Sequence, residues 1–107
     1  MKQKRSERVL GDSRFHALLK EIGELHDHKQ RDYGSPTDPF SNIRGSAHWG
    51  VHPWVGAMLR GNDKIERIKL YAQTGLLSNE GVRDSFMDLA VYSLIALILW
   101  EEEQAKN

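Results

Sequence analysis

Residues 79–104 read NEGVRDSFMDLAVYSLIALILWEEEQ, and the fold turns on how that stretch is wound. From 89 to 100 it is apolar apart from Tyr92 and Ser93. That run is too short to span a bilayer, which takes about 20 residues. Wound as a helix at about 100° per residue, it is hydrophobic on every side and must be covered on every side. Two other long helices cannot cover it alone. The spare surface predicts further copies of the chain, most simply a symmetric dimer.

The same helix begins with an acidic ladder. Glu80, Asp84 and Asp88 fall within roughly 80° of one another, on the line of Val91, Ile95 and Ile98. An amphipathic helix normally turns carboxylates away from its packing stripe. Two arrangements compete. In one, the helix is rotated so that the acids meet solvent near its N-terminus, where the helix dipole favours negative charge. In the other, they face inward and hold a hard divalent cation through oxygen ligands. Asp88 lies directly before the deeply apolar run, which favours the inward arrangement.

Working outward, the pattern is helical throughout. Residues 1–11 are charged and read as a flexible basic N-terminus, and 12–107 as a single helical domain. Asp12 or Ser13 caps a first helix to about residue 31, with Phe15, Leu18, Leu19, Ile22 and Leu25 at helical spacing. The Asp32-Tyr33-Gly34-Ser35-Pro36 sequence ends it. Residues 37–52 form an irregular connection with one short helix around 41–49. A loop that long in so small a domain is usually functional. Pro53 opens the next helix, which uses Trp54, Val55, Met58, Leu59, Ile65 and Ile68 and stops at Gly75. Ser78 or Asn79 caps the last. The fold class is therefore all-α: three long helices plus a short one in the 37–52 loop, in a bundle completed by oligomerisation.

Composition narrows the function. Fifteen basic and fifteen acidic residues cancel, so no net field draws DNA or an acidic membrane. There is no cysteine, which removes disulfides and thiolate zinc sites and fits a reducing cytoplasm. The N-terminal stretch lacks the apolar segment of a secretory signal.

Two more constellations carry chemistry. His26, Lys29 and Tyr33 continue the line of Phe15, Leu19 and Ile22 along the first helix. Lys29 there either meets phosphate oxygens or the acids of the last helix, or simply extends to solvent with His26 as a boundary residue. On the third helix, Asp63 and Arg67 stand one turn apart, which suits a surface ion pair. The sharper reading makes Asp63 a metal ligand, with Lys64 and Arg67 gripping phosphate. Zinc is disfavoured, because His26 and His28 point about 160° apart and Gly50 interrupts His48 and His52. Tyr33, Trp49 and Trp54 are either packing residues or a surface on which a base stacks.

Taken together, three blocks resemble small MazG-like proteins: Asp32-Tyr33-Gly34, then residues 62–67 (NDKIER), then 79–92 (NEGVRDSFMDLAVY). Such proteins are commonly phage-encoded and lie near the nucleotide-modification-associated branch of the all-α NTP pyrophosphohydrolases. The likeness covers about residues 15–100. It implies a dimeric or tetrameric helical bundle in the host cytoplasm that cleaves an NTP or dNTP to a monophosphate and pyrophosphate. It also implies Mg²⁺, or Mn²⁺, held by acidic side chains. On that expectation Asp63, Glu80, Asp84 and Asp88 are the metal ligands, and Glu80 takes the proton of the attacking water. His26, Lys29, Asp32, Tyr33, Lys64 and Arg67 bind the nucleotide. The chain departs from the family's E-x-x-E and E-x-x-D motifs: in its Glu21-x-x-Glu24 the second acid projects about 160° from the apolar stripe of the first helix, Asp63-x-x-Glu66 is the nearest substitute on the third, and i+4 steps replace the later motif. The rival expectation is an inactive bundle that binds a nucleotide or, through the Trp49/Trp54 loop, a host protein.

Overall fold

The structure, a computed structural model, describes residues 10–76 and 81–106, and along the first helix it describes side chains as far as Lys29. Among these residues every regular element is helical. In chain order they are α1 (Ser13–Tyr33), α2 (Ser41–Arg44) running into a 3-10 turn (Gly45–Trp49), α3 (Pro53–Thr74) and α4 (Val82–Ala105). No described helix is long and apolar enough to cross a membrane.

Local chemistry sets these boundaries. Asp12 accepts the backbone N–H of Arg14 at 2.7 Å, filling one of the open donors at the start of α1. Pro53 occupies the first turn of α3, where its missing N–H costs nothing. Gly75 ends α3 at φ 75°, a left-handed conformation that favours glycine, and its N–H reaches the Tyr71 carbonyl at 2.7 Å. Two expected boundaries move. α1 continues through Asp32 and Tyr33 instead of stopping at 31, since the residue restricted by Pro36 is Ser35. α4 begins at Val82 with Gly81 as its N-cap, whereas the expected cap, Ser78 or Asn79, lies outside the described residues.

The frame is an antiparallel pair, α3 against α4. Its close approach comes from small residues on α3: Ala57 is fully buried, and Gly61 sits where an added Cβ would already touch Leu89 and Tyr92. α4 supplies Val91, Ile95, Ala96 and Leu99 to the core, and the connection before α3 folds Phe40 and Ile43 onto them. Burying each of these large side chains contributes roughly 1.5–3 kcal/mol before the entropy of ordering is counted.

The expected apolar stripes are only partly used. Ile22 and Leu25 of α1 pack on the core, but Phe15 is 62% exposed and Leu19 47%. On α3, Met58, Leu59 and Ile65 are exposed, because the face with the small residues is the one that can approach α4. Leu94, Leu97, Ile98 and Trp100 remain uncovered on α4. Periodicity finds an apolar stripe, yet it does not say which of two adjacent stripes a neighbour will choose.

Candidate functional site

Asp88 and Ser85 are the buried polar residues of the described chain, at 6% and 0% exposure. A carboxylate so far from water needs partners. It has two cations from two other segments: Lys64 of α3 at 3.2 Å and Lys29 of α1 at 3.5 Å. Helical spacing explains the meeting. Lys64 lies on the Gly61 face of α3 that approaches α4, and Lys29 lies one turn beyond Leu25, which packs on the same core.

The two lysines also line a cleft of about 300 Å³ between α1, the 39–43 segment, α3 and α4. That volume is at the small end of the range for ligand sites. Arg60, one turn before Lys64, reaches the same cleft, as do His26, Asn42 and Tyr92. Pro39, Ile43, Val91 and Ile95 give it an apolar wall. Half-buried Arg60 has no hydrogen-bond or ion-pair partner among the described residues. Three cations line the cleft, and Asp88 stands behind two of them.

The wall of the cleft is pinned from outside. Arg44 donates from Nε to Asp38 at 2.6 Å and from its two terminal nitrogens to Glu102 at 2.9 and 3.3 Å. These hydrogen bonds hold both carboxyls below their ordinary range and raise the guanidinium further. Asp38 also accepts the N–H of Phe40 at 2.9 Å, so one arginine fixes the segment that carries Asn42 and Ile43. His52 meets Glu103 at 3.0 Å just beyond it. At the other end of α4, Arg83 makes two hydrogen bonds to Glu21 of α1, at 2.7 and 2.9 Å.

The acidic ladder does not turn inward as a unit. Asp88 is buried, whereas Asp84, in the first turn of α4, is exposed, and so is Asp63 on α3. Cover at the start of α4 is one-sided: Ser85 is fully buried there while its neighbour Asp84 stays open to solvent, where the helix dipole favours a carboxylate. Glu80 lies outside the described residues. Asp32 and Tyr33 form the last turn of α1, with their side chains outside the described part. Among the described residues no three of His, Asp and Glu gather closely enough for one ion. The described donors do not by themselves make a metal cage, because the one buried carboxylate already answers two lysines.

Of the nucleotide-binding set, His26, Lys29 and Lys64 come together in the cleft, while Arg67 does not line it. Trp49 is 87% exposed. Trp54 packs against the core and stacks with the His52 ring at 6.4 Å. Sequence reasoning missed Arg60, Asn42 and Tyr92. Two of these had a signal, since Arg60 stands four residues before Lys64 and Tyr92 four after Asp88. No family model, no curated protein and no solved structure matches this chain.

Proposed function

We propose that this chain is a nucleotide-handling helical protein of the MazG-like pyrophosphohydrolase type, whose cleft takes the phosphates of an NTP or dNTP. One observation carries the reading: Lys29, Arg60 and Lys64, from two different helices, converge beside an apolar wall. Cations that converge on a concave surface suit phosphate, and the wall and Tyr92 suit a sugar or base. The bond cleaved, between the α and β phosphates, rests on the three sequence blocks. So does the Mg²⁺ dependence, for which the described carboxylates offer no closed site.

A homo-oligomer belongs to the same reading. Its support is the apolar surface of α1 and α4, where Leu19, Ile22, Leu94 and Ile98 border a shallow groove of about 210 Å³. Exposed apolar surface of this extent on a small chain is normally covered by a partner.

A second reading, binding without cleavage, is favoured by the double lysine clamp, which keeps Asp88 from serving a metal or a water. The test is incubation with a panel of NTPs and dNTPs plus Mg²⁺ or Mn²⁺, assayed for pyrophosphate. Pyrophosphate release that falls at least about a hundredfold in Lys64→Gln supports the hydrolase, on the scale of losing a preorganised charge at a phosphoryl centre. Nucleotide-induced thermal stabilisation without product supports the binding module. Neither product nor stabilisation at millimolar nucleotide rejects both.

A further inference from the structure

We infer that the outer face of α4 docks a second copy of the chain: the two α4 helices pair antiparallel, with Ser93 on the twofold axis. This arrangement rests on the homo-oligomer proposed above, and supplies its face, direction and register, but owes nothing to the chemistry of the cleft. Val91, Ile95 and Leu99 of α4 are buried in the core, with Asp88 on the same side. About 180° from that stripe stand Phe86, Ala90, Ser93, Leu97 and Trp100. Their steps of 4, 3, 4 and 3 residues average 3.5, the repeat with which one helix seats along another. Phe86, Leu97 and Trp100 are large exposed hydrophobics, Ser93 is exposed and Ala90 is half-buried. Among the described residues, the helices packed on α4 leave this face open.

The stripe is complementary to itself, which is what a twofold interface demands. Phe86 lies seven residues before Ser93 and Trp100 seven after, so in an antiparallel pair each Phe86 meets Trp100 of the second copy. Ala90 lies three before and Leu97 four after, so the large leucine faces the small alanine across the seam. Charge sets the direction. Glu101, Glu102 and Glu103 close α4. Parallel pairing would bring both sets together at ends where the helix dipole is already negative. Antiparallel pairing carries each set to the first turn of the other α4, where Arg83 stands. Arg83 and Glu101 are five full turns apart, hence on one flank of the stripe, ten residues before the axis and eight after it. Arg83 already donates two hydrogen bonds to Glu21, and a guanidinium with five N–H donors can serve a second carboxylate.

The chain has no cysteine, so a single introduced one reports its neighbour cleanly. Sedimentation equilibrium of the full chain should give a dimer. Ser93→Cys should then cross-link under a mild oxidant, because helices packed about 8–10 Å apart hold facing Cα atoms within disulfide reach. Gln104→Cys should not, since the two copies of that position stand about 33 Å apart along the antiparallel pair. Leu97→Glu should raise the dimer dissociation constant about a hundredfold or more, as each dimer loses two buried leucines. Its helical circular dichroism should persist, because Leu97 is exposed in the single chain. Ser93→Cys exchanges one atom, so its cross-link decides the matter even where Leu97→Glu does not fold. A monomer at every concentration overturns the pairing. A dimer in which Ser93→Cys stays uncross-linked also overturns it, while leaving the homo-oligomer to the α1–α4 groove. Cross-linking of Gln104→Cys as fast as Ser93→Cys shows parallel helices and overturns it too. Nucleotide cleavage by a monomeric chain would sink the pairing alone, whereas a cross-linked dimer that ignores nucleotides would sink only the cleft reading.

Discussion

Asp88 decides more than any other single residue. Taken alone, a buried carboxylate costs several kcal/mol, and its pairing with Lys29 and Lys64 recovers that only while both lysines stay in place. Removing one member therefore hurts more than the pair is worth. Asp88→Asn should destabilise the fold by on the order of 3 kcal/mol in urea denaturation, because two partly buried ammonium groups would lose the carboxylate they share. A change below about 0.5 kcal/mol, the size of an ordinary surface substitution, would mean that the lysines reach water freely and the clamp is not structural. The sequence showed Asp88 on the packing stripe and Lys29 on the line of the α1 apolar residues. It did not show that they answer each other, because that depends on where α1 crosses α4.

At the scale of elements, the 34–44 connection matters most, since it brings Asn42 and Ile43 to the cleft. Arg44 ties it to α4 through Asp38 and Glu102. Both carboxyls lie below their ordinary values of 3.8 and 4.5 because they accept hydrogen bonds from that guanidinium. A depressed folded-state value means the stabilisation is complete above the ordinary value and is lost as pH falls through the depressed one. Stability should thus decline on acidification below about pH 4.5. In Arg44→Gln the protein should be less stable at neutral pH, and its stability should fall less steeply over that acid range. Parallel pH profiles for the two proteins would show that the arginine leaves both carboxyls unperturbed. Gly34 lets the connection fold back, since a Cβ there would come within 2.8 Å of Pro39 Cα. Helix positions were readable from caps, Pro53 and Gly75, as punctuation acts locally. The path of the connection was not, because it is set by ion pairs between residues as far apart as Arg44 and Glu102.

For the whole molecule, the radius of gyration of 17.4 Å exceeds the about 13 Å of a compact domain of this length. The chain is built as a tight α3–α4 pair with α1 packed against α4, and the first turns of α1 carry apolar residues that stay exposed among the described residues. The sequence foretold uncovered apolar surface from the all-round hydrophobicity of 89–100. It misplaced the share belonging to α1, whose stripe looked like core and is half surface. Its reading of the site was mixed for the same reason. Spacing placed the acids on one line, but of the two that are described Asp88 is enclosed and Asp84 is exposed, and Arg60 was visible merely as a neighbour of Lys64.

A crystal structure with a nonhydrolysable deoxynucleoside triphosphate addresses the central claim most directly. Phosphate oxygens are expected within about 2.7–3.2 Å of Lys29, Arg60 and Lys64, with the nucleoside along Ile43, Val91 and Ile95. Phosphates seated instead at exposed Asp63 and Asp84, with the three cations of the cleft left to solvent, would contradict it.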